Sequence, residues 1–124
     1  MPDRIYVCVC ISASIARITR QPRPCAVVVA GSSATFICVT NSSRDQWCWS
    51  RFRIYEDIIL CNSDGCRDGY SAHSSPQNGL HFHSLTIDSC EPAYSGIYYY
   101  HQCQERWLRL PPAHSAYLTV LGMF

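Results

Sequence analysis

Hydrophobic side chains recur along this chain at every second position rather than every third or fourth, which is the pattern of strands, not helices. In SATFICV, Ala34, Phe36 and Cys38 alternate with Thr35, Ile37 and Val39; in SLTID, Leu85 and Ile87 share a face; in SAYLTVL, Ala116, Leu118 and Val120 do. Successive side chains of an extended backbone point to opposite sides, so each run predicts a strand with one side on a core. Clusters of turn residues separate the runs: AGSS at 30–33, NSSRD at 41–45, NSDG at 62–65, SSPQNG at 74–79, EPAYSG at 91–96 and LPP at 110–112. Strands recurring this often, with no capped helical stretch between them, predict an all-β antiparallel sandwich or barrel.

The chain has 124 residues, enough for one domain that buries about two thirds of its surface around a single core. Ten basic against nine acidic residues leave a net charge of +1, so there is no basic field of the kind that holds nucleic acid. No apolar run reaches the roughly 18 residues that a membrane helix needs, so no membrane span is expected in this chain. Nine cysteines point to an oxidising, extracellular setting in which disulfides persist. At the amino terminus, Arg4 precedes an apolar stretch from Ile5 to Ala16, with small residues at Ala13, Ser14 and Ala16. Residues 1–16 read as a signal peptide or an amino-terminal extension such as an extra strand, ahead of a domain spanning 17–122.

Three signatures resemble the immunoglobulin superfamily, in a variable-like form (V-set or I-set). QPRPCAVVVAGSSATFICV is similar to that family's strands A, A′ and B, with Cys38 as the strand-B cysteine. Trp49 falls where the buried strand-C tryptophan belongs, and LTIDSCEPAYSGIYYY resembles strand E, the E–F corner and strand F, with Tyr98 at the tyrosine corner. AYLTVLG resembles a closing strand G. The resemblance implies an immunoglobulin-like Greek-key sandwich whose core signature is Cys38, Trp49, Leu85, Tyr98 and Tyr100.

The chain departs from the family at strand F, where Tyr100 stands in place of the expected cysteine and the next cysteine is Cys103. Two registers are open. In one, Tyr98 and Tyr100 face the core and Cys38 has lost its usual partner. In the other, a bulge turns Cys103 inward to bond Cys38. The first has a corollary: Cys48 and Cys103 both face outward on neighbouring strands C and F, where they can bond. The Trp47-Cys48 pair also resembles paired myeloid-receptor and polymeric-immunoglobulin-receptor domains, which would give Cys48 a partner on strand C′, here Cys61 or Cys66. Cys61 and Cys66 flank NSDG, and a tight turn at Asp64-Gly65 would bring them together. Cys90 reads as a buried thiol under the E–F corner, and Cys25 lies on the A′ edge.

Reactive chemistry finds little support. No CxxC pair or nucleophile elbow occurs, the carboxylates Asp45, Glu56, Asp57 and Glu91 are scattered, and the histidines of His81-Phe82-His83 read as ordinary strand positions. No catalytic residue, metal site or cofactor is expected. What remains is recognition by surface, through loops gathered at one end of the sandwich. The F–G candidate QCQERWLRLPPAH offers Arg106, Trp107, Leu108 and Arg109, residue types that dominate interface hot spots. Tyr99 and His101 would extend that surface over the outer C–F–G face. Asn41-Ser42-Ser43 is an N-glycosylation acceptor in the B–C loop. The expected partner is a protein ligand or a cell-surface receptor, homophilic pairing included, bound by a receptor ectodomain, an adhesion module or a secreted binder. With no stalk or membrane helix after Phe124, the chain is expected to be secreted or a fragment of a longer receptor. The competing reading is a small disulfide-rich effector or inhibitor that blocks a soluble protein.

Overall fold

The computed structural model describes residues 6–12, 26–40, 46–104 and 115–122. Its strands form two sheets. The first holds, in order, β1 (Tyr6–Ser12), β3 (Ala34–Thr40), β8 (Leu80–Ile87) and β7 (Tyr70–Gln77). The second holds β2 (Ala26–Val29), β10 (Ala116–Leu121), β9 (Gly96–Gln102), β4 (Trp47–Arg51), β5 (Ile58–Asn62) and β6 (Gly65–Cys66). Only β2, which runs parallel to β10, departs from antiparallel pairing among the described strands. The period-two reading therefore resolves as a two-layer sandwich.

The inward sets are those the alternation assigns. Ala34, Phe36 and Cys38 from β3 and Leu85 and Ile87 from β8 meet Trp49, Tyr98, Tyr100, Ala116, Leu118 and Val120 from the facing sheet, all of them buried. Burying a large apolar side chain stabilises by about 1.5–3 kcal/mol, so this layer carries most of the drive to fold. Phe36 stacks on Tyr98 at 5.5 Å between ring centroids, and Trp49 meets Tyr100 edge-on at 5.5 Å. Such offset and edge geometries suit the ring quadrupoles.

The segment read as a signal peptide or as an extra strand holds β1, which runs beside β3 for seven residues with Cys8 opposite Cys38. Two other local outcomes differ from the sequence reading. The β5–β6 hairpin turns at Ser63-Asp64, one residue earlier than expected, with Asn62 paired to Gly65 and the Asp64 N–H donating to Asn62 Oδ1 at 2.8 Å. The polar stretch SSPQ belongs to β7, and the break that follows is Asn78-Gly79 alone, at φ 52° and 82°. Two successive left-handed residues joining antiparallel strands make a mirror-image turn whose twist matches theirs.

The corner before β9 is a single turn of 3₁₀ helix, Pro92–Tyr94. Tyr98 donates its hydroxyl hydrogen to the Tyr94 carbonyl, the tyrosine-corner contact, and burial raises its pKa. A Cβ at Gly96 would lie 3.1 Å from Arg51 Nε, so a larger residue there would crowd the guanidinium whose Nη2 donates to the Ser95 carbonyl at 2.8 Å.

Candidate functional site

The β4–β9 pairing sets the register of strand F. Trp49 lies opposite Tyr100, Ser50 opposite Tyr99 and Cys48 opposite His101. Tyr98 and Tyr100 thus point inward, and Cys103 follows the strand on the outer side, where it bonds Cys48 with Cα atoms 5.2 Å apart. The bulged register and the C–C′ pairing of Cys48 are both excluded by this bond. Cys38 is disulfide-bonded too, but not to Cys103. Cys61 and Cys66, directly opposite across β5 and β6, bond each other, and Cys90 is a buried free thiol whose pKa burial raises.

Around Tyr100, aromatic rings fill the core. Tyr100 stacks on the buried His83 at 4.2 Å, against Trp47 at 6.1 Å and edge-on to Trp49. His83 Nδ1 lies 2.9 Å from Ser74 Oγ, and the His81 ring stacks on it at 6.4 Å. Burial, and then the neighbouring His81, push the His83 pKa down to about 4. The folded form therefore favours neutral His83, and the stability it contributes is present above about pH 6.5 and lost as pH falls toward 4. Urea unfolding is expected to show lower stability at pH 4 than at pH 7.5, a loss that His83→Phe removes for the most part. An equal loss in that variant would assign the pH dependence to other groups.

The outer side of the same strands is polar and enclosed. Ser50, Tyr99 and His101 are each 0% exposed and Asp57 is 7% exposed. His101 Nδ1 sits 2.7 Å from the Gln102 carbonyl, so it carries the hydrogen, and Nε2 accepts from the Ser50 hydroxyl at 2.8 Å. Tyr99 donates its hydroxyl hydrogen to Asp57 Oδ2, and the Arg53 N–H donates to Asp57 Oδ1 at 3.2 Å. A serine bonded to a histidine is half of a nucleophile–base pair. Here both are sealed from solvent, and the carboxylate holds Tyr99 instead of orienting His101, so the group braces strands. Tyr99 and His101 face outward as alternation requires, yet they belong to this enclosed layer rather than to an open contact face. Ser50 escaped the sequence reading, because period two assigns a side of a sheet without saying whether that side is covered, and Asp57, read there only as one of several scattered carboxylates, is brought to Tyr99 by the turn before β5.

At the end of β9 the chain is clamped to the start of β4. Beside the Cys48–Cys103 bond, the Cys103 N–H donates to the Gln46 carbonyl at 3.1 Å and Gln104 Nε2 to Gln46 Oε1 at 3.0 Å. Arg106, Trp107, Leu108, Arg109, Asn41 and Cys25 lie outside the described residues.

No protein-family model matches the chain, and no curated protein does. Solved structures do. One, from photo-crosslinking analyses of multimeric cell-adhesive interactions of VGSC beta subunits, matches with a TM-score of 0.55 at 16% identity, over 79% of this chain and 89% of that chain. At that identity the likeness speaks for the fold. This chain folds as an immunoglobulin-like antiparallel β-sandwich. Among the described residues no helix is long and apolar enough to cross a membrane.

Proposed function

We propose that this chain is an extracellular, non-catalytic binding or adhesion module of variable-like immunoglobulin type, which recognises a protein partner through the loops at the Cys103 end of the sandwich. The observation that carries the reading is the clamp at that rim. The Cys48–Cys103 bond and the Gln46 hydrogen bonds fasten both strands from which the B–C and F–G segments leave. Fixing the roots of a loop lowers the ordering cost of binding, which raises affinity without any new contact. Strands β5 and β6 beyond β4 support the variable-like arrangement, since that type extends this sheet by two strands. The cell-adhesive role named for the similar structure agrees with a binding module.

Within this reading Arg106, Trp107, Leu108 and Arg109 form the contact, and Asn41 bears a glycan on the neighbouring loop. Displaying the chain on cells and scoring aggregation or ligand capture tests it. Trp107→Ala is expected to weaken capture by more than about 1 kcal/mol, roughly fivefold, with stability unchanged. Undiminished capture would remove that loop from the site. Capture of a soluble protein in place of a surface-bound one would favour the inhibitor reading.

A further inference from the structure

The four strands of the first sheet, of seven, seven, eight and eight residues, hold no Asp, Glu, Lys or Arg, although 15% of the chain is charged. A sheet with one side on a core ordinarily turns polar and charged residues to water on the other. This one carries apolar residues there. Phe36, Cys38, Leu85 and Ile87 take the core side, so alternation gives the outer side to Ile37 and Val39 of β3 and to Phe82 and Ser84 of β8. Ile37, Val39 and Phe82 are only half-buried. The register sets these positions in rows across the strands. Val7 stands opposite Val39, Val39 opposite Phe82 and Phe82 opposite Ser75; in the next row Val9, Ile37, Ser84 and His73 follow in the same order. The face thus grades from apolar positions at β1 and β3 to hydroxyl and imidazole at β7. An apolar, charge-free centre beside a polar margin is the composition of an interface core and its rim.

Charge and area select the partner. A face without charges has nothing with which to hold a charged partner in register, so its complement is another uncharged sheet face, and this chain carries one. Four strands about 4.8 Å apart and about 25 Å long give a footprint of roughly 480 Å² per copy. Two such footprints come to about 1,000 Å² before the relief of the side chains is counted, which is the area that a specific contact needs. Two copies of the face can stack about a two-fold axis as the layers of a sandwich do, about 10 Å apart with strands about 30° from parallel. We propose that the outer side of the β1–β3–β8–β7 sheet is a self-association face whose partner is the same face of a second copy. The Cys48–Cys103 clamp ties strands of the other sheet. This surface therefore stands or falls independently of the loops at that rim.

Sedimentation of the full chain over rising concentration reads the association, and the unaltered protein is expected to form dimers. Phe82→Glu and Ile37→Lys each bury an unpaired charge in the contact and are expected to weaken dimerisation about tenfold or more. Thr119→Lys, at an exposed position of β10 in the other sheet, is expected to leave it unchanged. Denaturant midpoints confirm that each variant is folded. NMR dilution of the unaltered protein needs no variant, and it is expected to move the amide signals of residues 37–39 and 82–84 first. A wild-type chain that stays monomeric at millimolar concentration, folded Phe82→Glu and Ile37→Lys proteins that dimerise as the wild type does, or dilution shifts centred elsewhere would each overturn the proposal. So would a different protein captured by this face and lost in Phe82→Glu while the chain itself stays monomeric. Loss of ligand capture by Trp107→Ala leaves the dimerisation readouts untouched.

Discussion

Trp49→Ala is expected to lower folding stability by about 3–5 kcal/mol. The indole is 1% exposed, sits between the two sheets and meets Tyr100 edge-on, so truncation opens a cavity that neither rigid layer can fill. A domain of this size holds a margin of roughly 5–15 kcal/mol, so the variant is expected to unfold at markedly lower denaturant or to fail to accumulate. Trp49→Phe is expected to cost less than half as much. It keeps a ring in place and removes Nε1, a buried donor with no hydrogen-bond partner among the described residues. Denaturant midpoints of the three proteins with equal slopes check the order. Equal stability of Trp49→Ala and the wild type would mean that the layers do not close over this residue.

The second large effect belongs to the clamp. Cys48 and Cys103 are 55 residues apart in sequence, and Cys61 and Cys66 only five. The entropy taken from the unfolded chain grows with the loop closed, giving about 4 kcal/mol for the long bridge and about 2 kcal/mol for the short one. The double variant Cys48→Ala, Cys103→Ala is therefore expected to lose about twice the stability of Cys61→Ala, Cys66→Ala. It is also expected to weaken ligand capture, since the roots of both loops are released, whereas the short-bridge variant is not. Calorimetry and capture on the wild type and the two double variants separate the two effects. A clamp variant as stable as the wild type would leave strand F without its external tie.

Much of this fold was readable in the residues because its cause is local. Period two in β3, β8 and β10 follows from the geometry of extended backbone. The Tyr98–Tyr100 register, once taken, requires Cys103 to be external and within reach of Cys48. β1 was harder. A short apolar run such as YVCVCIS suits a signal segment and a buried strand equally, and its pairing with β3 is a long-range fact. β7 was missed because YSAHSSPQ has almost no apolar face; its strand state comes from pairing with β8. The polar layer of Ser50, Asp57, Tyr99 and His101 is non-local as well, joining residues up to 51 apart. Its residue types alone suggest an open surface, and only the assembled sheet encloses them.

Disulfide mapping of the native protein by peptide mass under non-reducing conditions tests the central claim most directly, namely that strand F runs with its tyrosines inward and its cysteine outside. The account predicts linked peptides joining Cys48 to Cys103 and Cys61 to Cys66, with the Cys90 thiol alkylated only after unfolding. A peptide joining Cys38 to Cys103 would contradict it, since that bond requires the strand to turn over and take Tyr100 out of the core.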